Sequence, residues 1–131
     1  MAVGYFLISD SSNIKYVNIG GQKIQVELAV TVAERTQGLS GRQSLDEGTG
    51  LLFIFDKSGQ YPFWMKDMNF PIDIIWLGED FRIVSIEKNV SPKSYPKTFG
   101  GDKEARYVLE VVAGFSEMNN LKVGESVIFN Y

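Results

Sequence analysis

From Gly50 to Asp80 the chain reads GLLFIFDKSGQYPFWMKDMNFPIDIIWLGED. Leu51–Phe55 is a continuous apolar run of the kind that forms a buried strand. Ile72–Leu77 is a second apolar run, interrupted by one carboxylate, Asp73. Around and between them stand Phe53, Phe55, Tyr61, Phe63, Trp64, Phe70 and Trp76. Rings at this density, framed by buried strands, point to a barrel-like β core with an aromatic-lined site.

The flanking sequence also reads as strands. Ile24, Val26, Leu28 and Val30 alternate with polar or small residues, the period of a half-buried strand. Thr31-Val32-Ala33-Glu34 then fits a capping box, with Gly38 as the stop of a short helix. Phe63–Lys66 forms a further short strand. Gly78-Glu79-Asp80 reads as the turn of a hairpin between Ile72–Leu77 and Phe81–Glu87. Tyr107–Val112 is another strand, Gly114–Leu121 a brief helix or turn, and Val123–Phe129 a closing strand with a bend at Gly124. Asn89–Glu104 carries two prolines and a Gly-Gly pair and is expected to be irregular. The expected fold class is α+β, predominantly antiparallel β: a compact barrel-like sheet with one or two short helices. One domain over residues 1–131 is expected, with 1–22 an N-terminal extension or edge strand and 23–131 the core.

Composition removes several chemistries. The 131 residues include no cysteine and no histidine. Disulfides, thiolate metal sites, cysteine nucleophiles and a Ser-His-Asp triad therefore cannot be built from this chain. We expect no cofactor and no transition metal; only oxygen-rich ion sites are open to it. With 13 basic against 16 acidic residues, the chain has no basic footprint for nucleic acid. Met1–Ile8 is apolar but too short to span a bilayer, and no other stretch reaches the ~20 residues a membrane helix needs. The compartment stays open, since a chain without cysteine tolerates both reducing and oxidising surroundings.

Four groups of residues are candidates for chemistry. Asp73 shares a strand face with Ile75 and Leu77. Buried and ionised, it needs a cation or several amide donors. Arg35 and Arg42, beside the Gly38 turn, are available for that pairing. The alternative to a ligand contact is a structural lock. Glu110 is a second in-strand acid, on the face of Val108 and Val112; with Asp73 it would make a glycosidase-like pair if the two carboxyls stood at the right separation. In Phe63-Trp64-Met65-Lys66, alternate residues face opposite ways, so Trp64 and Lys66 can border a groove while Phe63 and Met65 serve the core. Finally, Lys93 and Lys97 lie beside Tyr95 and Phe99 in the long loop, a mixture suited to an anionic, sugar-like or protein partner.

These motifs together carry a resemblance. Arg35, Gly38-Leu39, Arg42, Leu45, Gly50–Phe55, Phe63–Lys66, Pro71–Ile75, Tyr107–Val111 and Gly114 follow in an order that resembles the DUF192 family, also called UPF0127, from roughly Ile24 to Phe129. The family's GLM-x-R appears as Gly38-Leu39-Ser40-Gly41-Arg42, with Ser40 for methionine. Its GMLF appears as Gly50-Leu51-Leu52-Phe53, and its FWMKNT as Phe63–Met68 with Asp67 for asparagine. The resemblance implies a compact β domain with short helices, in a family whose members often follow an export signal or membrane anchor. It implies no function.

Three readings follow. The first is a non-enzymatic, extracytoplasmic binding module that holds a small molecule or saccharide at Arg35, Arg42, Trp64, Lys66, Asp73 and Trp76, its export signal or anchor lying outside this sequence. The second is a protein-interaction or assembly domain that uses the 89–104 loop. The third is a carboxylate-based hydrolase that uses Asp73 and Glu110.

Overall fold

The computed structural model of the chain describes residues 13–131. The Met1–Ile8 segment therefore lies outside the described residues. Within them, β1 (Tyr16–Ile19) and β2 (Gln22–Ala29) form an antiparallel hairpin. The alternation of Ile24 and Val26 with polar residues puts those two side chains into the core. Val17 and Ile19 of β1 are buried as well, so the core begins before residue 23.

A 19-residue connection, 30–48, then carries the helix α1 (Val32–Gln37) and leads to β3 (Thr49–Gly59). β3 returns parallel to β2, with Leu28 opposite Leu52. The capping box at α1 forms as expected: Thr31 Oγ1 accepts from the Glu34 N–H at 3.1 Å, and Glu34 Oε1 accepts from the Thr31 N–H at 3.1 Å. Gly38 ends the helix at φ 50°. A two-residue strand β4 (Phe63–Trp64) follows, then the hairpin of β5 (Ile72–Leu77) and β6 (Ile83–Val90). The loop after β6 contains a 3-10 turn over Pro92–Ser94 and a short strand β7 (Thr98–Phe99) that pairs with β4. β8 (Ala105–Val112), the helix α2 (Phe115–Met118) and β9 (Ile128–Asn130) complete the chain.

The main sheet has the order β6-β5-β8-β3-β2-β1-β9 and is antiparallel except at β2–β3. It curls into a half-barrel. Its two ends are tied by backbone hydrogen bonds from Ile83 N–H to Glu125 O (2.9 Å), Gly124 N–H to Ile83 O (2.8 Å) and Val127 N–H to Phe81 O (2.8 Å). The 123–127 segment that was expected as strand is thus a connector, and only 128–130 is regular strand.

Two apolar layers cover the two faces of the sheet. One holds Leu52, Ile54, Ile75, Leu77, Leu109 and Val111 with Phe115 and Leu121. The other holds Leu51, Phe53, Ile72, Ile74, Trp76 and Val108 under Leu39 and Met65. The register pairs Asp73 with Val111 and Ile74 with Glu110. Asp73 therefore belongs to the first face and Glu110 to the second. The two acids expected as a catalytic pair stand on opposite faces of the sheet.

Candidate functional site

The second face is where the chain leaves space. α1 and the Tyr61–Trp64 segment lie over the ends of β3 and β8 without closing on each other, and between them is a hollow of about 350 Å³. Its walls are mainly rings. Phe53 and Phe63 meet edge to face with centroids 4.8 Å apart, and Phe55 and Tyr61 stack at 3.7 Å and 9°. Trp64, Leu39 and Met68 complete the apolar lining. The helix stop at Gly38 brings backbone against this wall: a Cβ there would stand 3.2 Å from Phe53 Cζ.

β3 is irregular beside the hollow. Ile54 pairs with Tyr107 but the next pairing is Gly59 with Ala105, so residues 55–58 leave the ladder. Arg106 Nε donates to the freed Phe55 carbonyl at 2.6 Å and fixes the bulge. On the other side, Trp76 lies beneath the segment, 1% exposed, and its indole N–H donates to Tyr61 O at 2.9 Å. Gly100 makes this possible, since a Cβ at that position would meet the Trp76 ring at 2.3 Å.

Two charged residue types reach the hollow. Arg35, on the inner side of α1, donates through Nη1 to the carbonyls of Val30 and Ile54, the latter at 3.1 Å. Its guanidinium lies 5.1 Å from the Phe55 ring centroid. Its Nε and Nη2 have no hydrogen-bond partner among the described residues, and no carboxylate there lies within 4.0 Å of it. Glu110 faces the same hollow from β8 at 5% exposure, and its carboxyl makes no hydrogen bond to a described residue. Burial pushes its pKa up to about 8, so at neutral pH it is mostly the neutral acid.

The other residues singled out in the sequence divide between rim and interior. Trp64 is 48% exposed, tilted against Tyr95 at 5.1 Å, with Lys66 Nζ 5.9 Å from its ring centroid. Arg42 is bidentate to Glu27 at 2.9 and 3.0 Å and borders a separate hollow of about 460 Å³ on the far side of α1. That pairing holds the Glu27 carboxyl below its ordinary range. Asp73 is fully buried. Its Oδ1 accepts from Asn89 N–H at 2.8 Å and Gly114 N–H at 3.2 Å, and its Oδ2 from Ser116 N–H at 2.8 Å. Backbone amides, not arginines, meet this carboxylate, and they tie β5 to the end of β6 and to the start of α2. Thus Arg35 and Trp64 line one hollow and Lys66 stands beside Trp64, while Arg42, Asp73 and Trp76 stand apart from it. Glu110 was visible in the sequence as an acid in an apolar strand; the hollow it faces was not, because α1 and Tyr61–Trp64 are brought over β8 from distant parts of the chain.

The sequence model of the DUF192 family, described as "Uncharacterized ACR, COG1430", matches residues 15–129. The chain belongs to this family. Among solved structures, it is similar to a protein of unknown function from Novosphingobium aromaticivorans DSM 12444. The two are 29% identical, with a TM-score of 0.82 over 88% of this chain and 84% of that one. It is also similar to a protein from Sinorhizobium meliloti 1021 provisionally described as a transcription regulator. There the identity is 26% and the TM-score 0.80, over 87% of this chain and 90% of that one. No curated protein matches the chain.

Proposed function

We propose that the chain is a non-enzymatic binding module that holds a small molecule in the hollow between α1 and Tyr61–Trp64. One observation carries this reading: an arginine and a carboxyl, the one with donors and the other with oxygens that meet no partner among the described residues, face the same ring-lined space. Unpartnered polar groups in an apolar cleft are costly to the fold alone and become useful when a ligand meets them. Arg35 and Trp64 are the ligand contacts, with Lys66 as outer rim. Trp76 acts one layer below by holding Tyr61, and Asp73 and Arg42 hold the frame. A single acid without a catalytic partner argues against the hydrolase reading. The charge balance of the chain argues against direct contact with nucleic acid.

A second reading rests on a different observation. Trp64 and Tyr95 pack on each other while each stays more than two-fifths exposed, a small aromatic ridge suited to a protein partner.

The test is a fragment titration of sugars, organic acids and amides against the intact chain, followed by backbone NMR and thermal melting. Binding must raise the melting temperature by mass action and shift the amides of Gly38, Ser40 and Trp64. A complete absence of such shifts, in a protein that remains folded, would remove the binding-module reading and bring the ridge forward.

A further inference from the structure

Resting on that reading, we propose that the hollow takes a small aromatic carboxylic acid, its ring against the Phe53, Phe55 and Phe63 walls and its carboxylate on Arg35 and Glu110. The neutral polar groups of the lining are already engaged. Thr36 Oγ1 donates to Val32 O at 2.8 Å, Gln37 Nε2 to Ser40 O at 2.7 Å, and Ser40 Oγ to Lys66 O at 2.7 Å. Tyr61 Oη donates to Lys57 O at 2.6 Å. Each hydroxyl of the lining has its donor directed to a backbone carbonyl, and Gln37 directs one of its two amide protons likewise. A saccharide entering this space would bury many hydroxyls against carbon, which is unfavourable without partners.

The groups left over ask for one anion. Arg35 brings a guanidinium to the hollow and has no acidic partner among the described residues. Glu110, held neutral by burial, presents an O–H that can donate to a carboxylate oxygen. A monoanionic ligand would thus leave the site with one positive charge, one negative charge and a shared proton. A neutral ligand would leave the guanidinium uncompensated. The other elements around Glu110 add no charge: Leu51 and Phe53 of β3 and Ile74 of β5 present carbon, and Arg35 and Tyr61 are the remaining titratable groups of the lining.

The same arrangement makes binding sensitive to pH. As Glu110 ionises, it sets a like charge beside the ligand carboxylate, and affinity falls. Benzoate, phenylacetate and indole-3-acetate should be titrated against their amides and against methyl glucoside, by calorimetry and NMR on the intact chain. The acids are expected to bind about tenfold or more tighter than the amides, and to lose about tenfold between pH 6 and about pH 9. In Glu110→Gln that pH dependence should vanish. Amides or the glucoside binding in the hollow as well as the acids would overturn the aromatic-acid assignment and leave the binding module standing. Failure of every probe to shift the hollow's resonances would overturn both.

Discussion

Asp73 and Ser116 sit side by side and make opposite statements about stability. Asp73 satisfies three backbone amides, while Ser116 Oγ is buried with no hydrogen-bond partner among the described residues. Asp73→Ala leaves three buried donors unpaired and should destabilise the fold by about 3–5 kcal/mol. Ser116→Ala removes an unpartnered hydroxyl and should be neutral or slightly stabilising; paired melting curves check both. Glu110 gives a pH-dependent prediction. Burial in the folded state pushes its carboxyl up to about 8, against about 4.5 for a glutamate in water. The folded state holds the proton longer, so stability is full in acid and declines as pH rises through that interval. Glu110→Gln should abolish the decline, with a gain approaching about 3 kcal/mol at pH 7. Chemical denaturation at a series of pH values reads the slope; parallel profiles for both proteins would refute it. At this scale the sequence revealed which acids were unusual but not what met them. The donors to Asp73 come from residues 89, 114 and 116, far from it along the chain. Its separation from Glu110 depends on one step of register between β5 and β8.

α1 is a six-residue helix with no buried residue, so its caps matter more than its packing. Thr31→Ala removes the capping box and should cost about 1 kcal/mol. Because Arg35 rides on this helix, ligand affinity should weaken more than the melting temperature suggests; calorimetry and melting on one preparation separate the two. Gly100→Ala should act from the opposite side. It adds strain at φ 73° and drives a methyl into the Trp76 ring, which supports Tyr61. The expected result is a loss of about 2–4 kcal/mol and altered indole emission, checked by fluorescence-detected unfolding. The capping box was legible because it is written in four adjacent residues. The parallel pairing of β2 with β3 was not, because strand direction depends on the path of the chain between them and not on either strand's own pattern.

Across the whole molecule, the curl of the sheet is finished by three backbone hydrogen bonds between residues 81–83 and 124–127. If this junction opens only with global unfolding, the amides of Ile83, Gly124 and Val127 should exchange as slowly as those of Leu52 and Leu109 in the middle of the sheet. Exchange within minutes would mean that the half-barrel opens at its seam. The predominantly antiparallel class and the two short helices followed from the apolar alternation and from the positions of Gly and Thr. The division of the aromatics was harder to read. Trp76 and Trp64 lie twelve residues apart in similar company, yet one is 1% exposed and the other 48%. What separates them is a central strand against a two-residue strand at the periphery.

The parallel pairing of β2 and β3 has a consequence for descent. Parallel neighbours cannot be joined by a tight turn, so the intervening chain must travel across a face of the sheet. Here that obligatory traveller is the stretch 30–48, and it roofs the hollow with Arg35, Gly38 and Leu39. One uninterrupted length of chain can therefore be lengthened, shortened or exchanged in a single genetic event, leaving the seven paired strands in register beneath it. A lineage built on this sheet can change what it recognises without rebuilding what it stands on.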